Sequence, residues 1–142
     1  MGLDSGVIIK GKTKKGWEYL RNNWSYNKEK YASAEEYDFG YWRKCWNIRA
    51  RVRDKIESFQ DGDYTYMTLS DLKVFKDDVL KYFLNEENWF YKGECSQVFT
   101  WVEELPSIAN SIHDIHLFLE DIEYSEKELT DKDFEIKFYD SY

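Results

Sequence analysis

Arg43, Lys44, Arg49, Arg51 and Arg53 crowd one short stretch of chain that also carries Trp42 and Trp46. Guanidinium groups beside indole rings can recognise anions: the planar fork makes bidentate hydrogen bonds to a carboxylate or phosphate, and the ring supplies a stacking face. Read as a helix from about Ala34 to Phe59, the stretch sets Phe39, Trp42, Trp46, Ala50, Arg53 and Ile56 at three- and four-residue spacing along one stripe. Arg49 and Arg53 then fall on or beside the buried stripe, with Arg43, Lys44 and Arg51 flanking it. A buried guanidinium needs a carboxylate or a bound anion, because an unpaired interior charge is very costly. Asp4, in the turn before the first expected strand, is one carboxylate that could serve. Two roles are open: an internal clamp, or an anion or nucleotide pocket.

Other chemistries find less support. His113-x-x-His116 has the three-residue spacing that lets two imidazoles share a helix face and bind a metal. No third ligand has a recognisable spacing, however, and the helical projection puts His116 at the edge of an apolar stripe and His113 off it. They read as a boundary and a surface histidine. The chain has no Gly-x-Ser-x-Gly, no Gly-x-x-x-x-Gly-Lys-Ser/Thr and no Gly-x-Gly-x-x-Gly. Two histidines leave a Ser or Cys nucleophile little choice of base. Trp89-Phe90-Tyr91, just before Gly93, is an aromatic group that either recognises a partner or covers a core. The acidic run from Glu120 through Glu135 is a solvated face, or in its sharper form a mimic of nucleic acid.

The elements that must position these residues follow from periodicity. Val7-Ile8-Ile9 predicts an N-terminal strand, and Lys12 to Ser33 predicts an aromatic-bearing excursion with one short helix. Ser33 and Glu36 make a capping box for the long helix, which ends at Gln60-Asp61-Gly62-Asp63. Tyr64 to Leu69 is β-prone. Ser70 caps a second helix with Leu72, Phe75, Val79, Tyr82 and Phe83 on one face, broken at Asn85 to Asn88. A hairpin or aromatic loop follows, running to Gln97-Val98-Phe99. A third helix starts near Pro106, with Ile108, Ile112, Ile115, Leu119 and Ile122 as its stripe. Phe134, Ile136 and Phe138 alternate with Glu135, Lys137 and Tyr139, the pattern of a half-buried strand. The expected fold is α+β: a small antiparallel sheet that includes both terminal strands, packed by two or three helices.

Composition sets the outer bounds. The chain has 142 residues, a length that usually makes one domain, here 1–142. Aromatic residues are 19% of the chain, so large rings build the core. No apolar run is long enough to cross a membrane, and Met1-Gly2-Leu3-Asp4 lacks a signal-peptide pattern, so a cytoplasmic location is expected. Cys45 and Cys95 are too few for a disulfide framework and read as reduced thiols. No cofactor is expected. The net charge is −8, but residues 1–60 hold 13 Lys/Arg against 8 Asp/Glu, while residues 103–142 hold 3 against 12. That sign argues against non-specific binding to duplex nucleic acid, where phosphate neutralisation supplies most of the affinity.

Met1-Gly2-Leu3-Asp4, together with Tyr41-Trp42-Arg43-Lys44 and Ile48, resembles a family of small uncharacterised bacteriophage and prophage proteins. Members open on Met-Gly-Leu-Asp and carry Tyr-Trp-Arg-Lys on their first long helix. A second short helix, an aromatic-Gly segment (here Trp89 to Gly93) and an acidic helix follow. This chain departs at Cys45-Trp46 and Arg49, where the family tends to have Ala-Asn and later His. It departs again at Asn85-Glu86-Glu87-Asn88, where the family usually has a Thr-Gln-Ser-Gly-like loop. The resemblance implies a phage or prophage origin and the host cytoplasm, and no reaction. The leading expectation is a non-catalytic accessory protein that binds a host partner or a small anionic ligand, with modulation of host defence as one outcome. Its expected surface is Asp4, Tyr41, Trp42, Arg43, Lys44, Arg49, Arg53, Trp89 and Tyr91. The alternatives are an acidic inhibitor of a nucleic-acid-binding host protein, and a small enzyme using Asp4, Arg43 and a histidine.

Overall fold

The structure is a computed structural model and describes residues 3–24, 36–91, 99–100, 104–126 and 128–141. The expected cap at Ser33 and helix start at Ala34 lie outside these residues, as do Met1, Gly2, Cys95 and the Lys92 to Val98 part of the expected hairpin. The elements in chain order are β1 (Asp4–Gly11), α1 (Lys14–Asn23), β2 (Glu36–Arg43), α2 (Trp46–Lys55), β3 (Tyr64–Met67), α3 (Leu69–Phe83), β4 (Phe90–Tyr91), β5 (Phe99–Thr100), α4 (Leu105–Glu123) and β6 (Phe134–Ser141). Four strands form an antiparallel sheet in the order β2-β1-β6-β3, with four helices packed against it. Both terminal strands belong to this sheet, as expected, and they pair with each other at its centre. β4 and β5 make a separate two-stranded pair.

Successive strand residues point to opposite faces, and one face of the sheet takes most of the apolar ones, Ile8 being an exception on the other. Phe134, Ile136 and Phe138 of β6 are buried with Val7 and Ile9 of β1, while Glu135, Lys137 and Tyr139 point the other way and stay half-buried. Against the inner face lie Tyr19 and Leu20 of α1, Ile48 and Val52 of α2, Phe75 of α3 and Phe118 of α4. The Phe118 ring meets Phe134 edge-on at 5.2 Å and Phe39 at 5.5 Å. Thr68, rather than Ser70, caps α3. Its side chain accepts from the Asp71 amide while Asp71 returns to the Thr68 amide, so two otherwise orphaned donors are satisfied reciprocally.

The expected long helix from Ala34 to Phe59 is corrected. Residues 36–43 are a strand, and the helix is only Trp46–Lys55. A β-bulge explains the misreading. The register slips between Val7 and Ile8, so that Val7 faces Gly40 and Ile8 faces Asp38, leaving Phe39 as the extra residue. An extra residue resets the two-residue alternation. Buried Tyr37, Phe39 and Trp42 therefore end up two and then three apart, and the last interval imitates a helix. Asp38 accepts the Gly40 amide at 3.1 Å, which holds the bulge, and a Cβ on Gly40 would overlap the Ser111 hydroxyl of α4. Lys44, at φ 57°, then turns the chain from strand into helix.

Asp133 ties the entry of α1 to the start of β6. Its Oδ1 accepts the Thr13 hydroxyl at 2.5 Å and its Oδ2 the Thr130 amide at 2.8 Å. Burial disfavours its charge, but the Thr13 and Thr130 hydrogen bonds outweigh that cost and hold the carboxyl below its ordinary value. A depressed folded-state pKa adds stability that is present above the unfolded value and lost as pH falls through the folded one. Asp133→Asn is therefore expected to lower the melting temperature at neutral pH. The gap to the wild type should close as both are acidified below the usual carboxylate range. A gap of constant size across that titration would refute the ionic part of this role.

Candidate functional site: the open face of the sheet

Side chains that point away from the helices make a regular lattice on the outer face. Cross-strand register sets Tyr41, Gly6, Tyr139 and Tyr64 in one row and Asp38, Ile8, Lys137 and Tyr66 in the next. Such a row is about 14 Å wide, three strand spacings of about 4.8 Å. Tyr41, Tyr64 and Tyr66 are 47%, 43% and 54% exposed, which is unusual for large rings and leaves their faces in contact with solvent. Gly6 makes the centre flat. A Cβ there would overlap the Gly40 carbonyl oxygen and meet the Tyr139 hydroxyl at 2.7 Å, so the Tyr139 side chain passes directly over the backbone.

Charge on this face is balanced. Lys137 lies under Tyr64, its ammonium 4.4 Å from the ring centre, with Glu135 at 3.7 Å and Glu36 at 4.0 Å. At the start of β1 the Tyr41 hydroxyl donates to the Asp4 carboxylate, and that hydrogen bond raises the phenol above its ordinary value. Arg43 stands opposite Asp4 across the strand pair. Arg43, Lys10 and Lys137 thus share the face with Asp4, Asp38, Glu36 and Glu135. A surface so neutralised has little to offer a phosphate. Tyrosines on rigid strands instead present large amphipathic area at low entropic cost, which suits a protein surface.

The expected site residues divide between this face and the interior. Asp4, Tyr41 and Arg43 come together on it, and exposed Lys44 follows at its edge, its amide donating to the Leu3 carbonyl. Trp42 is fully buried with its Nε1 on the Ser111 hydroxyl at 3.2 Å, so the expected stacking surface is closed to a ligand. Arg49 is buried, donating from Nε to Asp140 at 2.6 Å and from its NH2 group to Asp61. Its carboxylates are thus Asp140 and Asp61, not the expected Asp4. Arg53 is not on a buried stripe; it is 43% exposed beside Asp54. Arg51, expected only to flank, makes a bidentate pair with Asp78 at 2.7 Å from each nitrogen. Trp89 is half-buried, donating from Nε1 to the Phe83 carbonyl, and of Tyr91 only the backbone, paired with Phe99, is described.

The tyrosine lattice was missed, and so was Asp140, although one signal could have found the latter. Asp140 continues the inward run of Phe134, Ile136 and Phe138. A carboxylate on the apolar side of a strand calls for a buried cation, and Arg49 was a cation expected on a buried face.

Other expected chemistries lie apart from this face. His116 sits on α4 with Lys76 at 3.3 Å from Nδ1 and Glu120 at 3.1 Å from Nε2, on the helix side of the sheet and away from Asp4 and Arg43. Among the described residues no group of three His, Cys, Asp or Glu converges to hold a metal. Cys45 is a buried free thiol, pushed up to about 12 by burial and then by Glu104, so it is not a nucleophile. Part of the acidic run is engaged by the chain itself: exposed Asp121 accepts the Tyr19 hydroxyl, exposed Asp131 the Leu69 amide, and buried Asp133 bonds Thr13 and Thr130. No described helix is long and apolar enough to cross a membrane. No protein-family model matches this chain, and no curated protein or solved structure matches it either.

Proposed function

We propose that this protein is a non-catalytic binding protein of bacteriophage or prophage origin that acts in the host cytoplasm and holds a host protein on its open sheet face. The resemblance at Met1 to Asp4 and Tyr41 to Lys44 supports the origin through residue identity alone, because Tyr41 to Arg43 lie on β2 and not on the helix that the resemblance implied; an effect on host metabolism or defence would follow from that origin. The observation that carries the binding role is the set of exposed tyrosines carried by two strands of the four-stranded sheet, among charges that nearly cancel. Protein is favoured over a small anion because Arg49, Arg51 and Arg53 all meet carboxylates of the chain itself.

The test is an affinity pull-down from bacterial host lysate, with wild type beside a Tyr41→Ser/Tyr64→Ser/Tyr66→Ser variant. These side chains are exposed, so the melting temperature is expected to change little. Capture of the partner should drop by well over tenfold, since a central interface tyrosine is worth roughly 2 kcal/mol. Equal capture by the variant, or a co-purifying nucleotide with no protein partner, would sink the reading.

A further inference from the structure

On the opposite side of the molecule, α3 and α4 run antiparallel and leave a groove along their outer surface. Leu69 and Lys73 of α3 lie level with Ile122 and Glu123 of α4. Lys76 lies level with His116, and Leu80 with Ala109 and Ile112. The lower end is a mainly apolar cleft of about 390 Å³ lined by Leu80, Phe83, Ala109 and Ile112 together with Lys76, His113 and His116, and Leu80 remains 47% exposed there. At the other end Lys73 of α3 faces Glu120 and Glu123 of α4 across the groove, while Lys76 is paired with Asp77 at 3.1 Å and lies against His116.

This pattern selects its occupant. A partner helix with one sign of charge would be attracted by one wall and repelled by the other. A surface with the same two walls exchanged meets both. A two-fold axis running along the groove makes that exchange: it lays α3 of one copy over α4 of the other without changing level. Lys73 then faces Glu120 and Glu123 of the second copy twice over, and Leu80 drops onto the apolar floor around Ala109 and Ile112. Self-complementary patches of this kind generate closed two-fold dimers. We propose that the α3–α4 face is the interface of a symmetric dimer, which leaves both tyrosine faces pointing outward and makes the protein bivalent toward its partner. Only this last consequence rests on the binding role proposed above; the dimer itself does not.

Sedimentation velocity of the full chain over a concentration series tests it. Wild type is expected to shift from monomer to dimer as concentration rises. Leu80→Lys, at a half-exposed position, should keep the fold by circular dichroism and weaken the dimer by at least about tenfold, since each factor of ten is about 1.4 kcal/mol. Lys73→Glu alone and Glu123→Lys alone should each weaken it, and the two together in one chain should restore it. A monomer at every concentration overturns the proposal, as does a dimer indifferent to Leu80→Lys, or a double charge reversal no better than the single ones. A dimer lost only in Tyr64→Ser/Tyr66→Ser moves the interface to the sheet and also overturns it.

Discussion

Replacing Arg49 with alanine is expected to remove about 3–5 kcal/mol of folding stability, the usual cost of breaking a buried ion pair from one side. The guanidinium lies between the rings of Trp46, at 5.8 Å, and Phe59, at 5.1 Å, so its faces are covered as well as its nitrogens. Its two carboxylates are not equivalent. The Asp61 side chain is 67% exposed and can return to water, whereas the Asp140 side chain is fully buried. Arg49→Ala therefore strands the Asp140 charge inside the core, beneath the sheet. That consequence drives the magnitude, because the packing lost is only an aliphatic stem and two ring contacts. A double replacement, Arg49→Met/Asp140→Leu, removes both charges and should recover most of the loss. Urea denaturation followed by circular dichroism measures all three chains. A cost below about 1 kcal/mol for Arg49→Ala would show a guanidinium poised for a ligand instead of a clamp.

Trp42→Ala is expected to be comparably severe, about 3–5 kcal/mol, because a fully enclosed indole leaves a cavity that its surroundings fill only in part. Trp42 stacks on Phe75 with ring centres 6.3 Å apart and planes 28° from parallel. Its Nε1 donates to the Ser111 hydroxyl, which in turn donates to the Ser107 carbonyl at 2.9 Å, so β2 is pinned to α4 by a short polar chain. Trp42→Phe keeps a ring against Phe75 and loses that hydrogen bond, for which about 1 kcal/mol is expected beyond the change in volume. The same denaturation series separates the two. Trp42→Ala losing no more than Trp42→Phe would mean that the indole is not the packing element described above. If Trp42 were instead a stacking surface, both variants would lose a ligand and keep their stability.

Much of the architecture was legible from residue order because its signals are local. The apolar run of β1, the alternation in β6 and the three- and four-residue stripes of α3 and α4 are set by neighbouring residues, which suffice to encode them. Where a local signal failed, a tertiary interaction had altered it. At the bulge Gly40 lies against Ser111, a residue distant in sequence, and the extra residue Phe39 shifts the spacing of Tyr37, Phe39 and Trp42 toward a helical one.

The Arg43 to Arg53 region shows the same division. From the sequence alone it follows that an arginine inside a packed structure must find an anion, since interior charge is intolerable without one. The inward position of Asp140 on its strand marks it as a candidate, but the pairing is decided only in three dimensions, because Asp140 is 91 positions away and reaches Arg49 only when β6 pairs with β1. The tyrosine face was likewise invisible: Tyr41, Tyr64, Tyr66 and Tyr139 sit on three separate strands and share a surface only through the order β2-β1-β6-β3. Side-chain alternation is written along the chain, and so the chain determines which residues face inward. Register between strands is written across it, and only the tertiary structure decides which of the outward ones become neighbours.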